Sequence, residues 1–258
     1  MHACIPFTIK GHVAVITMSN APANTWTHDS LDSLADLILD FNQDKNIYSL
    51  VITGAGEKFF SAGADLNLFA DGDKQTAVLM ATAFGRAFEA LSQFRGLSIA
   101  AINGYAMGGG LEVALACDLR IAESQAQMAL PEAAVGLLPC AGGTQNLAWL
   151  VGEGWAKRMI LCGERVSAQQ ALDIGLVEAV VESGQALEQA LLWAQKSEQQ
   201  SPTSVAACKR LIQNARSHPM IAGMACERDE FVNLFNSNDQ KEGVQAFLEK
   251  RQPQWTNS

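Results

Sequence analysis

"INGYAMGGGLEVALACDL", residues 102–119, runs from an apolar, strand-like stretch through three glycines into a second apolar segment. One carboxylate, Glu112, stands just past the last glycine. Glycines at such a turn serve one of two ends: tight packing of a strand against a helix, or backbone amides left open to a ligand. The flanking sequence bears on both.

Two apolar runs, 5–9 and 12–18, flank Lys10-Gly11 and predict a hairpin. After the Pro/Asn loop "SNAPANTW" (19–26), Thr27 is placed to cap a helix with Leu31, Leu34, Leu37, Ile38 and Phe41 on one face. A buried strand over 47–56 ends in glycines, and residues 57–69 read as a loop entering a short helix. A helix over about 75–93 is followed by a second buried strand over 97–106, the glycine loop and another helix. Short strands are predicted at 118–124 and 126–130, helical periodicity near Thr144, Glu153 and Ser167, and an extended piece at 175–181. From Gln185 onward the pattern is helical, broken at Ser201-Pro202 and at 217–220. Alternating strands and helices with a helical tail predict an α/β protein with an α-helical C-terminal section.

Composition narrows the function classes. With 258 residues, 48% of them hydrophobic, the chain is large enough for one sizeable core, with or without a small appendage. No apolar run approaches the ~18 residues that span a bilayer. The first residues, "MHACIPFTIKGHVAVITM", match neither a secretory signal nor a transit peptide, so a cytoplasmic protein is expected. The net charge of −9 argues against a broad nucleic-acid surface, though not against a small cationic pocket. Cys4, Cys117, Cys140, Cys162, Cys208 and Cys226 form no C-x-x-C pair, and Cys117 and Cys162 read as reduced core or near-core residues. His2, His12, His28 and His218 show no metal-ligand spacing, so neither a metal site nor a histidine triad is expected.

The chemistry concentrates in two loops, "FFSAGADL" (59–66) and "NGYAMGGGLE" (103–112). Each follows a buried strand, turns on small residues and leads into a helix. Helix-start amides have no internal acceptor. Two such loops side by side could aim two N–H donors at one oxygen, an oxyanion hole, with the helix dipole adding to it. Glu112 falls in a helix's first turn, where the dipole favours a carboxylate that acts as a base. Glu132, in "MALPEAAVGLLPCAGGT", is isolated in apolar sequence, and so is either buried with a partner or functional. Burial would raise its pKa and suit it to hand over a proton. The pair, beside an oxyanion hole, points to acid/base work on a carbon next to a carbonyl.

"FSAGADL", "INGYAMGGGLEVALACDLRIA", "LPEAAVGLLPCAGGTQNL" and "GERVSAQQALDIGLVEAVV", in this order, resemble the crotonase (enoyl-CoA hydratase/isomerase) superfamily, and the likeness runs on to "FLEKRQP" (247–253). The resemblance implies a spiral of ββα units over 1–195 and a helical oligomerisation section over 196–258. It implies homotrimers or dimers of trimers, acyl-CoA thioester substrates in which CoA is part of the substrate, no separate cofactor and no metal. Carried over by motif, the N–H groups of Ala64 and Gly109 would form the oxyanion hole, Glu112 would activate water and Glu132 would deliver a proton. CoA and acyl contacts would come from Ala23, Asn24, Ala62, Gly63, Asp65, Leu66, Gly108, Pro131 and Gly136. Phe247 and Lys250 would reach CoA in a neighbouring subunit, unless Lys250 is an ordinary solvated lysine.

Four positions depart from the family pattern. Asn67 and Ala21 stand where a CoA-pairing Lys and an Arg are usual, Cys140 where a Gly is usual beside Glu132, and Asn146 where an Arg is usual. None touches the acid pair or the two donors. Two carboxylates favour a 2-enoyl-CoA hydratase. A Δ3-Δ2-enoyl-CoA isomerase needs only one base, and a non-catalytic acyl-CoA-binding protein needs neither. The pocket wall is expected after Leu66 and around Trp149, while Met80, Phe84 and Phe88, four residues apart, read as core rather than pocket.

Overall fold

The computed structural model describes residues 5–258, so His2 and Cys4 lie outside the described residues. β1 (Phe7–Lys10) and β2 (Val13–Met18) form the expected antiparallel hairpin, and α1 (His28–Gln43) follows. Thr27 caps α1: its hydroxyl accepts from the Ser30 amide while the Ser30 side chain accepts from the Thr27 amide, so two helix-start donors are satisfied reciprocally. Leu31, Leu34, Leu37, Ile38 and Phe41 are all buried along its inner face.

Three ββα units come next. The first is β3 (Ser49–Gly54), β4 (Phe59–Ser61) and α2 (Lys74–Ser92). The second is β5 (Leu97–Ile102), β6 (Tyr105–Met107) and α3 (Gly109–Ala116). The third is β7 (Leu119–Glu123), β8 (Gln127–Ala129) and α4 (Gly143–Leu161). In every unit the first strand joins one sheet and the second joins another. The larger sheet has the order β1-β2-β3-β5-β7-β10, parallel from β2 onward, with β10 at Ala179–Val181. The smaller has the order β4-β6-β8-β9, with β9 at Val166–Ser167. The chain therefore spirals between two sheets, as the resemblance implies.

The sequence reading missed two of these strands. Residues 57–69 contain β4 before a 3₁₀ turn at Leu66–Phe69, and β9 had no signal of its own at two residues. The single strand expected over 97–106 is two. Asn103 separates them, its amide donating to the carbonyls of Gly54 (2.9 Å) and Gly56 (2.7 Å) and accepting from the Gly54 amide (3.1 Å). Cys162 is exposed at the end of α4, not buried; Cys117 is buried as expected.

The larger sheet is covered on both faces, which explains why β3 is buried at every position. Leu50 and Ile52 face the core shared with α1 and α2, while Val51 joins Val13, Val15, Ile99 and Ile121 on the opposite face. That second face is closed by Ala186, Ala190 and Ala194, one stripe of α6 (Ala186–Glu198). The division expected at 195/196 falls inside this helix. α5 (Ala168–Asp173) precedes it, and α7 (Pro202–Asn214), α8 (Met220–Leu234) and α9 (Asn238–Glu249) follow. Lys209 ties α7 to the sheet through Asp118 (2.7 Å) and the Gly96 carbonyl (3.0 Å).

α3 is buried at every position and packs backbone to backbone on β4. Its C-terminal end is anchored by Arg120, whose side chain is 2% exposed. Arg120 pairs with Glu178 (2.5 Å) and donates to the carbonyls of Leu176 (2.8 Å) and Cys117 (2.9 Å). Its N-terminal half is fixed by absence of side chains: a Cβ on Gly110 would stand 2.0 Å from the Ser61 carbonyl oxygen. Gly110→Ala should therefore cost about 3 kcal/mol by overpacking, lowering the melting temperature by roughly 6–12 °C at about 2–4 °C per kcal/mol. An unchanged melting temperature would show slack between β4 and α3 that this packing denies.

Candidate active site

The turn from β4 and the turn from β6 meet. A Cβ on Gly63 would stand 2.8 Å from the Met107 carbonyl and 3.0 Å from the Gly109 nitrogen, so the two loops touch through their backbones. Gly63 (φ +86) and Gly108 (φ +53) hold conformations that favour glycine. The Gly109 amide opens α3 and is one of the donors a helix leaves unpaired. The Ala64 amide has no acceptor among the described residues: in the bridge between residues 26 and 64, Trp26 N–H donates to Gly63 O (2.8 Å). Both residues line one cavity of about 620 Å³.

Glu112 and Glu132 line the same cavity, so the structure brings all four residues together. Their surroundings differ. Glu112 is 3% exposed, and its Oε1 accepts from the amides of Ala141 (2.8 Å) and Gly143 (2.9 Å). Burial pushes its pKa up, and these amides partly offset the shift by favouring the charged form. Glu132 has no hydrogen-bond partner for either buried carboxyl oxygen among the described residues. Desolvation, with a smaller contribution from the Glu112 charge, pushes its carboxyl up to about 7. One acid is held as an acceptor; the other is poised to carry a proton near neutrality.

The loop before α4 supplies what the sequence reading did not assign. Its amides cradle Glu112, and a Cβ on Gly143 would stand 2.8 Å from the Glu112 Oε1. Gly142 is left-handed (φ +90) and turns the chain into α4. The pair Gly142-Gly143 after Pro139 is the signal that could have found this cradle. Cys140 stands in the same loop and on the cavity wall. Burial and the two nearby carboxylates push its thiol up to about 11, so it stays neutral.

The other expected contacts divide. Ala62, Leu66, Gly108, Pro131 and Gly136 line the cavity. Gly63 acts behind the wall, through its contact with Gly109. Asp65 turns its carboxylate to the Asn67 amide (3.0 Å) and side chain (2.8 Å), capping the 3₁₀ turn. The Asn24 side chain is structural, 5% exposed and donating to the carbonyls of Ala55 (3.0 Å), Phe59 (2.9 Å) and Phe60 (3.3 Å), so any CoA contact at this residue would come from its backbone, as the resemblance implies. The Ala23 carbonyl accepts from the Ala62 amide (2.9 Å). Phe247, 83% exposed, and Lys250, left-handed at the end of α9, are not part of the cavity wall.

The apolar wall also differs from expectation. Met80 and Phe84 are buried and line the cavity, whereas Phe88 is core, edge-on to Trp26 at 5.6 Å. Trp149 is 57% exposed and lies outside the wall. Asn146 accepts a charge-assisted hydrogen bond from the Arg216 guanidinium (3.2 Å).

The family model described as enoyl-CoA hydratase/isomerase matches residues 8–258. The short-chain-enoyl-CoA hydratase of Clostridium acetobutylicum is 37% identical over 94% of this chain and 93% of its own. The 2,3-dehydroadipyl-CoA hydratase of Escherichia coli is 42% identical over 81% of each chain. A solved structure of Pseudomonas aeruginosa DspI superposes with a TM-score of 0.95 at 64% identity, covering 98% of this chain and 96% of that one. The chain belongs to the enoyl-CoA hydratase/isomerase family.

Proposed function

We propose that this protein reversibly hydrates trans-2-enoyl-CoA to 3-hydroxyacyl-CoA. The observation that carries the reading is the placement of two unlike carboxylates, Glu112 and Glu132, in one cavity with the free amides of Ala64 and Gly109. The thioester carbonyl sits on those amides, and the enolate formed by addition at C3 places its negative charge there. Water attacks C3 and gives its proton to Glu112. Glu132 delivers a proton to C2, and the pair regains its starting state by passing the Glu112 proton to Glu132 or through solvent.

Environment supports this division of labour. Glu112 accepts two amide hydrogen bonds, which suit an ionised base. Glu132 accepts none from a neighbouring group and is half protonated near neutrality. A double-bond isomerase needs a single base, so a second acid aimed at the same cavity favours hydration.

Partners follow from the same reading. The substrate is an acyl-CoA thioester with no separate cofactor or metal. Among the described residues no helix is long and apolar enough to cross a membrane. Helices α8 and α9 carry Met220 (82% exposed), Ile221 (82%) and Phe247 (83%), an apolar surface that suits a homotrimer or a dimer of trimers. Phe247 and Lys250 would meet CoA of a neighbouring subunit only in such an assembly.

Three outcomes are expected. Wild-type protein mixed with crotonyl-CoA should remove the enoyl-thioester absorbance, and Glu132→Gln should cut kcat by about 10²–10⁴, the usual worth of a general acid; full activity in the variant would remove Glu132 from the proton path. The wild-type kcat/KM should fall as pH rises through about 7, as Glu132 of the free enzyme loses its proton; a kcat/KM that climbs through that range would reverse the roles of the two acids. Stability should follow the same group. Its folded pKa lies above the ordinary 4.5, so its contribution is fully present below about 4.5 and is lost as pH rises through about 7. Wild type should lose on the order of 2 kcal/mol of stability relative to Glu132→Gln between pH 5 and pH 8, a figure lowered for solvent at the cavity mouth. Parallel urea-unfolding profiles for the two proteins would contradict the burial of this carboxyl.

A further inference from the structure

Hydration takes up one water molecule per turnover, and the reverse reaction releases one. That water must pass to and from a carbon held beside Glu112 and Glu132 while the thioester lies on the Ala64 and Gly109 amides. Away from the glutamates the cavity wall is largely apolar, with Phe69, Met80, Phe84, Val135, Leu137 and Leu138 in it, and such side chains do not pass water along by hydrogen bonds.

One boundary differs. A groove of about 580 Å³ lies against α1 and α2. Thr82, Arg86, Glu89 and Gln93 line it and are all exposed, so the groove is wet. The Arg86 guanidinium there is committed to Asp32 (3.0 Å) and Asp36, and so is not free to hold an anionic ligand. The groove and the cavity share two wall residues, Ala81 of α2 and Cys140 of the loop before α4. Both are exposed and both side chains are short. Cys140 adjoins Ala141, whose amide holds Glu112 (2.8 Å). On the cavity side stand the two buried oxygens of Glu132, with no partner among the described residues. Buried acceptors of this kind are ordinarily met by a partner or by water, and a water arriving past Cys140 would meet them first.

We propose that water reaches and leaves the acid pair through this groove, between Ala81 and Cys140, by a passage separate from the one that admits the thioester, and that these two side chains set its width. The proposal rests on the hydration reading of the site. It makes Ala81 and Cys140 gate residues for the second substrate, with no part in proton transfer.

The test compares two label exchanges at equilibrium in a mixture of crotonyl-CoA and 3-hydroxybutyryl-CoA, one with ¹⁸O on C3 of the hydroxyacyl group and one with ¹³C in the crotonyl group. On dehydration the C3–O bond breaks, the C2 proton passes to Glu132, and the departing hydroxyl takes the Glu112 proton and leaves as labelled water. Unlabelled water then adds back. With a separate passage, ¹⁸O escapes while crotonyl-CoA is still bound. Release of the large product is commonly slow, so ¹⁸O washout should outrun ¹³C interchange by about twofold or more. Ala81→Leu should bring this ratio toward one, and Cys140→Gly, the residue usual at that place in the family pattern, should raise it. Ala81 is exposed on its helix and Leu is a good helix former, so the fold should tolerate the change. General damage to the site slows both exchanges together, whereas a change of passage moves their ratio. Equal rates in the wild type would overturn the separate passage and leave the hydration reading standing. A ratio above one that neither variant moves would overturn its assignment to this groove. No exchange of either label would overturn the hydration reading and the passage with it.

Discussion

Everything at the site hangs on a backbone-to-backbone contact between the turn after β4 and the start of α3. Gly63 stands against the Gly109 amide, and Gly110 stands against the Ser61 carbonyl, with no space for a Cβ at any of these approaches. That contact brings the segments carrying the Ala64 and Gly109 amides together on one cavity. It also fixes the azimuth of α3, and so the direction of Glu112 one turn further on. The large sheet and the Arg120 anchor hold α3 from the other end. A rigid donor pair is worth most where charge develops only during reaction, since nothing then has to reorient.

Two carboxylates in one cavity would ordinarily raise each other's pKa. Here the protein breaks their symmetry. It turns the start of α4 toward Glu112, so that the amides of Ala141 and Gly143 take up its Oε1, and it leaves both oxygens of Glu132 without an acceptor or donor partner among the described residues. The asymmetry costs stability at Glu132, whose buried polar atoms go unsatisfied. Such a cost is expected where a group must exchange protons with a ligand rather than hold a structural bond.

Much of this was legible in the sequence, and the limits have physical causes. The glycine loop, Glu112, Glu132 and the Thr27 cap act through local pattern: spacing, turn residues and capping chemistry are all read along the chain. Strand β9 has only two residues, and the loop holding β4 is shaped by its pairing with β6, so neither has a period of its own. Met80 and Phe84 line the cavity though their spacing predicts core, because helical periodicity reports burial, and a buried residue faces a core or a cavity with the same pattern. The cradle at Ala141 and Gly143 involves amides, which every residue type shares, so only the glycine pair hinted at it. The Asn24 side chain is spent on three carbonyls far along the chain, a pairing that composition does not encode.

The most direct measurement of the central claim follows isotope into product. A trans-2-enoyl-CoA incubated with the protein in ¹⁸O-labelled heavy water should yield 3-hydroxyacyl-CoA carrying one ¹⁸O at C3 and one deuterium at C2. That outcome would place water and a delivered proton on the two carbons that Glu112 and Glu132 are proposed to serve. Deuterium at C2 or C4 without any ¹⁸O, with the double bond moved, would show that the same cavity shifts protons and does not hydrate.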